Sequence, residues 1–204
     1  MYNCIFNGHC IEETPCNGSC PALAQTSYLL ERNDIKMSNP VFRMSQTEMN
    51  NCFDILNKCI GKTASVIVPS GEFTNQTADA LTYCAICQNW RGSQLHCTVY
   101  NLKFAQYLEA IQSSWSFNGF DGSDRLEQIK IWVSHARVLI ISNLDFVNFK
   151  DFQSQTLLSL LQSRVGMDLT TIVVTPTISA LVGEGQFFSR LTNILSKQKV
   201  GDSG

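Results

Sequence analysis

From residue 64 onward, short apolar runs alternate with longer stretches in which apolar residues recur at helical spacing. ASVIVP (64–69), HCTVY (96–100), RVLIIS (137–142) and LTTIVVTP (169–176) are rich in β-branched residues and predict strands. TADALTYCAIC (77–87), NLKFAQYLEAIQ (101–112), SDRLEQIKIWVSHA (123–136), FKDFQSQTLLSLLQSRV (149–165) and GQFFSRLTNILSKQ (185–198) predict helices, with Asn101 as the cap of the second. Strands that are almost wholly apolar, separated by helices, imply a parallel sheet covered on both faces. The expected fold class is therefore α/β.

The pattern before residue 64 differs. Residues 23–34 read as a short helix, and Asn33, Asn39 and Pro40 mark a connector. In 45–60, Met49, Cys52, Phe53, Leu56 and Ile60 fall on one helical face, with Ser45 or Thr47 as the cap. Residues 1–22 are sparse in apolar side chains and hold Cys4, Cys10, Cys16 and Cys20. The organisation expected is a Cys-rich module with its connector over 1–40, then an α/β domain over 41–200.

Composition narrows the partners. Charged residues make up 16% of the 204-residue chain, against about 25% in an ordinary globular domain. A weakly charged surface resists association less, which favours a stable partner or an oligomer. The net charge is −2 and there is no run of lysine or arginine, so strong autonomous DNA binding is disfavoured. No apolar run reaches the roughly 20 residues of a membrane span, and MYNCIFNGHC lacks the basic start and apolar stretch of a signal peptide. A cytoplasmic, reducing location is expected, with the nine cysteines as thiols or metal ligands.

The stretch SVIVPSGEFTNQTADALTY (65–83) has the outline of strand, small-residue loop and helix. A working phosphate loop reads G-x-x-x-x-G-K-[ST]: its backbone amides wrap phosphates, its lysine meets their charge, and its hydroxyl holds magnesium. With Thr77 at the hydroxyl position, Ser70 and Gly71 open the loop, Asn75 replaces the second glycine and Gln76 the lysine. Glu72 adds a negative charge. Gly61-Lys62-Thr63 spells GKT but precedes the strand and reads as a chance tripeptide. After the strand 137–141, the positions where an ATPase carries acids for magnesium and the attacking water hold Ser142 and Asn143. Thr175, ending another strand, suits a polar sensor. Arg190 fits either a finger reaching a neighbour's nucleotide or an ordinary surface ion pair.

Cys4, Cys10, Cys16 and Cys20 are separated by five, five and three residues. Four thiolates can converge on a tetrahedral zinc, and a short polar segment needs such a staple. His9 is an alternative ligand; an iron–sulfur cluster or unligated thiols are the other readings. Cys52, Cys59, Cys84, Cys87 and Cys97 lie in apolar contexts and read as small buried hydrophobes. A catalytic Cys–His pair drawn from Cys97 or Cys84 with His96 or His135 has little to support it, and Asp121, Asp124 and Glu127 read as a loop and the acidic first turn of a helix. Trp115, Phe117 and Phe120, in the predicted loop 113–122, either stack on a base or partner or fold back onto the core; the second is favoured.

Taken in order over roughly residues 60–198, these segments resemble the AAA+ helicase-loader family of DnaC/DnaI and IstB type. "RVLIISNLDFVNFKDFQSQTLLSLLQSR" is similar to the family's Walker B strand and following helix, "TTIVVTPTISAL" to its sensor-1 strand, and "FFSRLTNIL" to the segment bearing its arginine finger. The resemblance implies a P-loop NTPase core and a zinc-binding N-terminal region that contacts a helicase. Gln76, Ser142 and Asn143 depart from it together, each neutral where the family carries charge. The implied function is a pseudo-ATPase in DNA replication: a loader-type or accessory protein that binds a replicative helicase or an active loader, reaching DNA through that complex, with ATP not hydrolysed. The alternatives are an active loader with a non-standard nucleotide site and a zinc-containing DNA-binding regulator.

Overall fold

The computed structural model describes residues 21–36, 38–62, 64–67, 74–90, 99–115, 120–144 and 151–175. Helix α1 (Pro21–Arg32) leads through a 3₁₀ turn (Pro40–Arg43) to α2 (Gln46–Cys59). Then follow β1 (Ala64–Ile67), α3 (Thr74–Trp90), β2 (Val99–Lys103), α4 (Phe104–Ser114), α5 (Phe120–His135), β3 (Val138–Ser142), α6 (Asp151–Gly166) and β4 (Thr170–Val174). The expected α/β class holds: the four strands form one parallel sheet in the order β1-β4-β3-β2, flanked by helices.

The order explains where the helices lie. The chain crosses the whole sheet from β1 to β2, then returns through β3 to β4. Parallel crossovers are right-handed, so reversing the direction of travel moves the connecting helix to the opposite face. The core divides accordingly. On one face Leu102, Leu139, Ile141 and Val173 pack against Phe104 and Leu108 of α4, Ile129 and Val133 of α5, and Leu157 and Leu161 of α6. On the other, Val99, Ile140, Ile172 and Val174 pack against Leu81 and Ile86 of α3 and Leu56 of α2. Leu29, Leu30, Ile35 and Val41 join this second cluster, from both sides of residue 40. Each large aliphatic side chain so buried contributes about 1.5–3 kcal/mol.

Local chemistry sets the helix ends. Ser45 caps α2, with its Oγ accepting from the Glu48 N–H while the Glu48 carboxylate accepts from the Ser45 N–H, a reciprocal capping box. Gly61 follows α2 with φ of 85°, a left-handed conformation that closes a helix end without a Cβ penalty. The GKT tripeptide thus begins in a helix-terminating turn. Helix α3 starts at Thr74, three residues ahead of the sequence expectation, and α5 starts at Phe120, inside the stretch expected to be loop. Asn101 is a further correction. It lies in the middle of β2 and caps nothing; α4 begins at Phe104 with no side-chain cap.

Strand β2 is an edge strand, and the end of α1 covers it. Arg32 Nη2 donates to the Val99 carbonyl at 2.6 Å, and the Asn101 N–H donates to Asn33 Oδ1 at 2.6 Å. An outward row of backbone groups is thereby partly satisfied, which blunts the edge against foreign strands. The Arg32 guanidinium also lies 5.9 Å from the Tyr100 ring centre.

Among the described residues Arg164 of α6 is the largest fully buried side chain, 1% exposed. Its Nη1 donates to the Val133 carbonyl, its Nη2 to the carbonyls of Ala136 and Thr170, and its Nε to Thr171 Oγ1, at 2.7–2.9 Å. Two of these carbonyls end α5, where the helix dipole favours a cation. Burial brings the guanidinium pKa down to about 10, so it stays charged at neutral pH. It ties α5, α6 and β4 together by direction as well as contact. Replacing it by Met removes every donor and leaves four buried acceptors unmet, so Arg164→Met is expected to lower stability by about 3–5 kcal/mol in urea denaturation.

Candidate functional site

Because all four strands run the same way, their carboxyl ends share one rim. Loops leaving such a rim are where open α/β sheets place ligands. β4 stands between β1 and β3, so the carboxyl ends of β1, β4 and β3 are neighbours there. Thr175, just past β4, is buried, and its N–H donates to the Ile67 carbonyl at 3.1 Å, joining the ends of β4 and β1. Ser142, the last residue of β3, is 1% exposed, and its Oγ donates to Asn101 Oδ1 at 3.0 Å. Asn143 is exposed with φ of 60°. Asn tolerates this left-handed conformation better than most residues, and here it turns the chain sharply off the sheet.

Helix α3 lies over the same end. Asn75, Gln76 and Thr77 are in its first turn; Gln76 is exposed and Thr77 half-buried. The structure thus gathers Ser142, Asn143 and Thr175 at the rim, with the first turn of α3 one turn ahead of a residue bonded into it, Asp79. Ser70, Gly71 and Arg190 lie outside the described residues, as do Cys4, Cys10, Cys16 and Cys20.

The polar cluster around Asp79 was not expected from the sequence. Asn101 Nδ2 donates to Asp79 Oδ1 at 3.0 Å, and Asn39 Nδ2 donates to Asp79 Oδ2 at 2.8 Å. Asn101 in turn accepts from Ser142. One continuous chain therefore joins the connector, α3, β2 and β3: Asn39, Asp79, Asn101, Ser142. Beside it Lys103 at the end of β2 pairs with Asp34 at 2.8 Å. Burial pushes the Asp79 carboxyl above its ordinary pKa, against the opposing pull of Asn39 and Lys103. Asp34 moves the other way, held down chiefly by its bond to Lys103. The one available signal in the sequence was Asn101 itself, a polar residue inside an apolar strand run.

Ser142 and Asn143 offer amide and hydroxyl groups where an ATPase would offer carboxylates, and each Asp79 oxygen already accepts an amide. Among the described residues no group of three or more His, Cys, Asp and Glu could hold a metal ion. His135 sits exposed at the end of α5, its Nδ1 2.8 Å from the Ile131 carbonyl, whereas Cys84 is buried under α3 on the other face. The structure does not bring these two together. Glu127 pairs with Lys130 on the exposed side of α5. Cys59, Cys84 and Cys87 are buried as expected, but Cys52 is only half-buried; Cys97 and His96 lie outside the described residues. Trp115 is 66% exposed and meets Phe152 edge-on at 5.1 Å, which corrects the expectation that it folds into the core. An open cavity of about 530 Å³ between α5 and α6, lined by Tyr107, Phe152 and Leu160 among others, lies on the opposite face from α3.

No protein-family model, curated protein or solved structure matches the chain.

The Asp79 cluster has a measurable signature. Asp79→Ala leaves the amides of Asn39 and Asn101 without their acceptor and is expected to destabilise by about 1–3 kcal/mol at neutral pH. Because the folded-state pKa of Asp79 is raised, its stabilising contribution is full below the unfolded carboxyl pKa and is lost as pH rises through the folded value. The gap between parent and variant in urea midpoints should therefore be wider near pH 3 than at pH 7.

Proposed function

We propose that this chain is a catalytically silent AAA+-like subunit that works by docking: a helicase-loader-type or accessory protein in DNA replication, partnered by a replicative helicase or an active loader. One observation carries the proposal. For a phosphate loop, a sensor and a magnesium-binding pair to address one triphosphate, the strands bearing them have to be neighbours, and β1, β4 and β3 are. The residues that fall at the charge-bearing positions of that arrangement, Gln76, Ser142 and Asn143, are all neutral.

Neutrality there removes most of what drives phosphoryl transfer. Without a lysine the phosphates lack a charge partner, and without acids neither magnesium nor the attacking water is held. Ser142 is further committed by its bond to Asn101, a contact made inside the fold. What remains is a sheet covered on both faces, a scaffold suited to recognition. The low charged content favours a protein partner over naked DNA. Arg190 is assigned to a neighbouring subunit's nucleotide, as an arginine finger would be. Cys4, Cys10, Cys16 and Cys20 are assigned to one zinc, whose four bonds would staple a segment too polar to fold by burial.

Labelled ATP with magnesium, titrated against the purified protein, is expected to show neither micromolar binding nor turnover. Saturable binding with hydrolysis overturns the proposal. A pull-down from the native host is expected to retain a replicative helicase or an active loader. For the N-terminal module, elemental analysis is expected to find about one zinc per chain, falling when Cys16 and Cys20 are changed to Ser; a value near zero in the parent overturns that assignment.

A further inference from the structure

Helices α4, α5 and α6 cover one face of the sheet. α5 packs closely along α4, but few of its residues come near α6. Arg164 spans that gap with its bonds to Val133 and Ala136, and it also lines the open cavity of about 530 Å³. The α6 side of the cavity carries Phe152, Thr156, Leu160, Ser163 and Met167. Steps of four, four, three and four residues place these on one continuous helix face. At 1.5 Å per residue the face runs about 22 Å, roughly four turns. Large apolar side chains alternate along it with small hydroxyls, a profile of ridges and hollows that receives the ridges of another helix.

Apolar surface is concentrated around these two helices. Trp115 is exposed and rests edge-on against Phe152, extending one end of the groove; Met167 is exposed at the other. Ile131 of α5 and Val165 of α6 are exposed as well, so four of the five large exposed apolar side chains among the described residues belong here. A surface with this bias marks an interaction site. Its charge is one-sided. Lys130 and Arg164 are the charged residues lining the groove, and both are cations. Arg164 is bonded only to carbonyls and a hydroxyl, so no carboxylate cancels its field. Lys130 pairs with Glu127, which does not line the groove; an exposed pair at that spacing is weak and exchanges readily.

We propose that the α5–α6 groove is a docking site for an acidic amphipathic helix of a partner protein. The apolar stripe of that helix lies on Phe152, Leu160 and Met167, and its carboxylates face Lys130 on the α5 wall. Other occupants fit less well. A second copy meeting this one groove to groove sets Lys130 and Arg164 against their own likes. Nucleic acid needs several reachable cations, and of these two only Lys130 is exposed. A small ligand would stay largely in water, because Gln155, Ser159, Ser163 and Met167 are exposed, whereas small-molecule pockets enclose most of their occupant. The inference is independent of whether the rim binds nucleotide.

A synthetic helical peptide of about 16 residues tests it, with Leu at i, i+4, i+7 and i+11 and Glu flanking that stripe. A second peptide keeps the leucines and carries Lys in place of every Glu. Each is fluorescently labelled and titrated with the full-length folded protein, with anisotropy as the readout. The acidic peptide is expected to saturate, and the lysine peptide to bind at least about tenfold more weakly. Lys130→Glu is expected to weaken the acidic peptide about fivefold, and Ser159→Trp, which fills the groove from an exposed position, to abolish its binding. Both variants should keep the parent's urea midpoint. Lys58→Glu, the same charge change on α2 across the sheet, should leave the affinity unchanged. Failure of the acidic peptide to saturate overturns the proposal, as does equal binding of the lysine peptide, binding that survives Ser159→Trp, or an equal loss in Lys58→Glu. Self-association of the parent that Ser159→Trp abolishes would give the groove to a second copy and overturn it too.

Discussion

Asn101 is the side chain on which the arrangement of the sheet turns. It sits on an edge strand, with its backbone N–H directed outward to Asn33 and its side-chain amide directed under α3, where it donates to Asp79 and accepts from Ser142. Apolar burial alone has no direction. A two-residue slip of β2 along β3 would keep every apolar residue on its proper face, since side chains alternate with period two. That slip would carry Asn101 away from Ser142, Asp79 and Asn33 together, leaving polar groups buried without partners. The cost of doing so fixes Val99 opposite Val138 and, through Asn33 and Asn39, fixes where the N-terminal helix and connector rest.

The same logic makes sense of a neutral residue at position 142. Ser142 lies beneath α3 and one amide away from a carboxylate that burial already disfavours. A second acid there would be desolvated and would face Asp79 across Asn101 with no described cation between them. A working magnesium site tolerates such crowding because the metal cancels the charge. Here a hydroxyl completes the bonds instead. Among the described residues Asn39, Asp79, Asn101 and Ser142 turn their polar atoms toward one another.

Much of the architecture was legible in the residue pattern. The β-branched runs and their alternation with helical stretches led to a parallel sheet with covered faces, and Ser45, one of two candidate caps, marked the start of α2. What was not legible was long-range. Asn101 looked like a helix cap because Asn commonly is one; its true partners are Asn33, Asp79 and Ser142, between 22 and 68 residues away. Arg164 falls near the end of the predicted helix 149–165, and nothing local announces that carbonyls from α5 and β4 surround it. The strand order was likewise silent in the pattern, since equally apolar strands can be stacked several ways. For the candidate site, the positions Ser142, Asn143 and Thr175 could be named as strand ends, but their coming together depends on β4 inserting between β1 and β3.

The cover over β2 bears on how copies of this chain can associate. Growth of a sheet from one molecule into the next, repeated indefinitely, requires two receptive borders on every molecule. α1 occupies one of them with Arg32 and Asn33. Among the described residues the β2 border is thus partly engaged within the molecule, and a foreign strand would have to displace Arg32 and Asn33 to pair there.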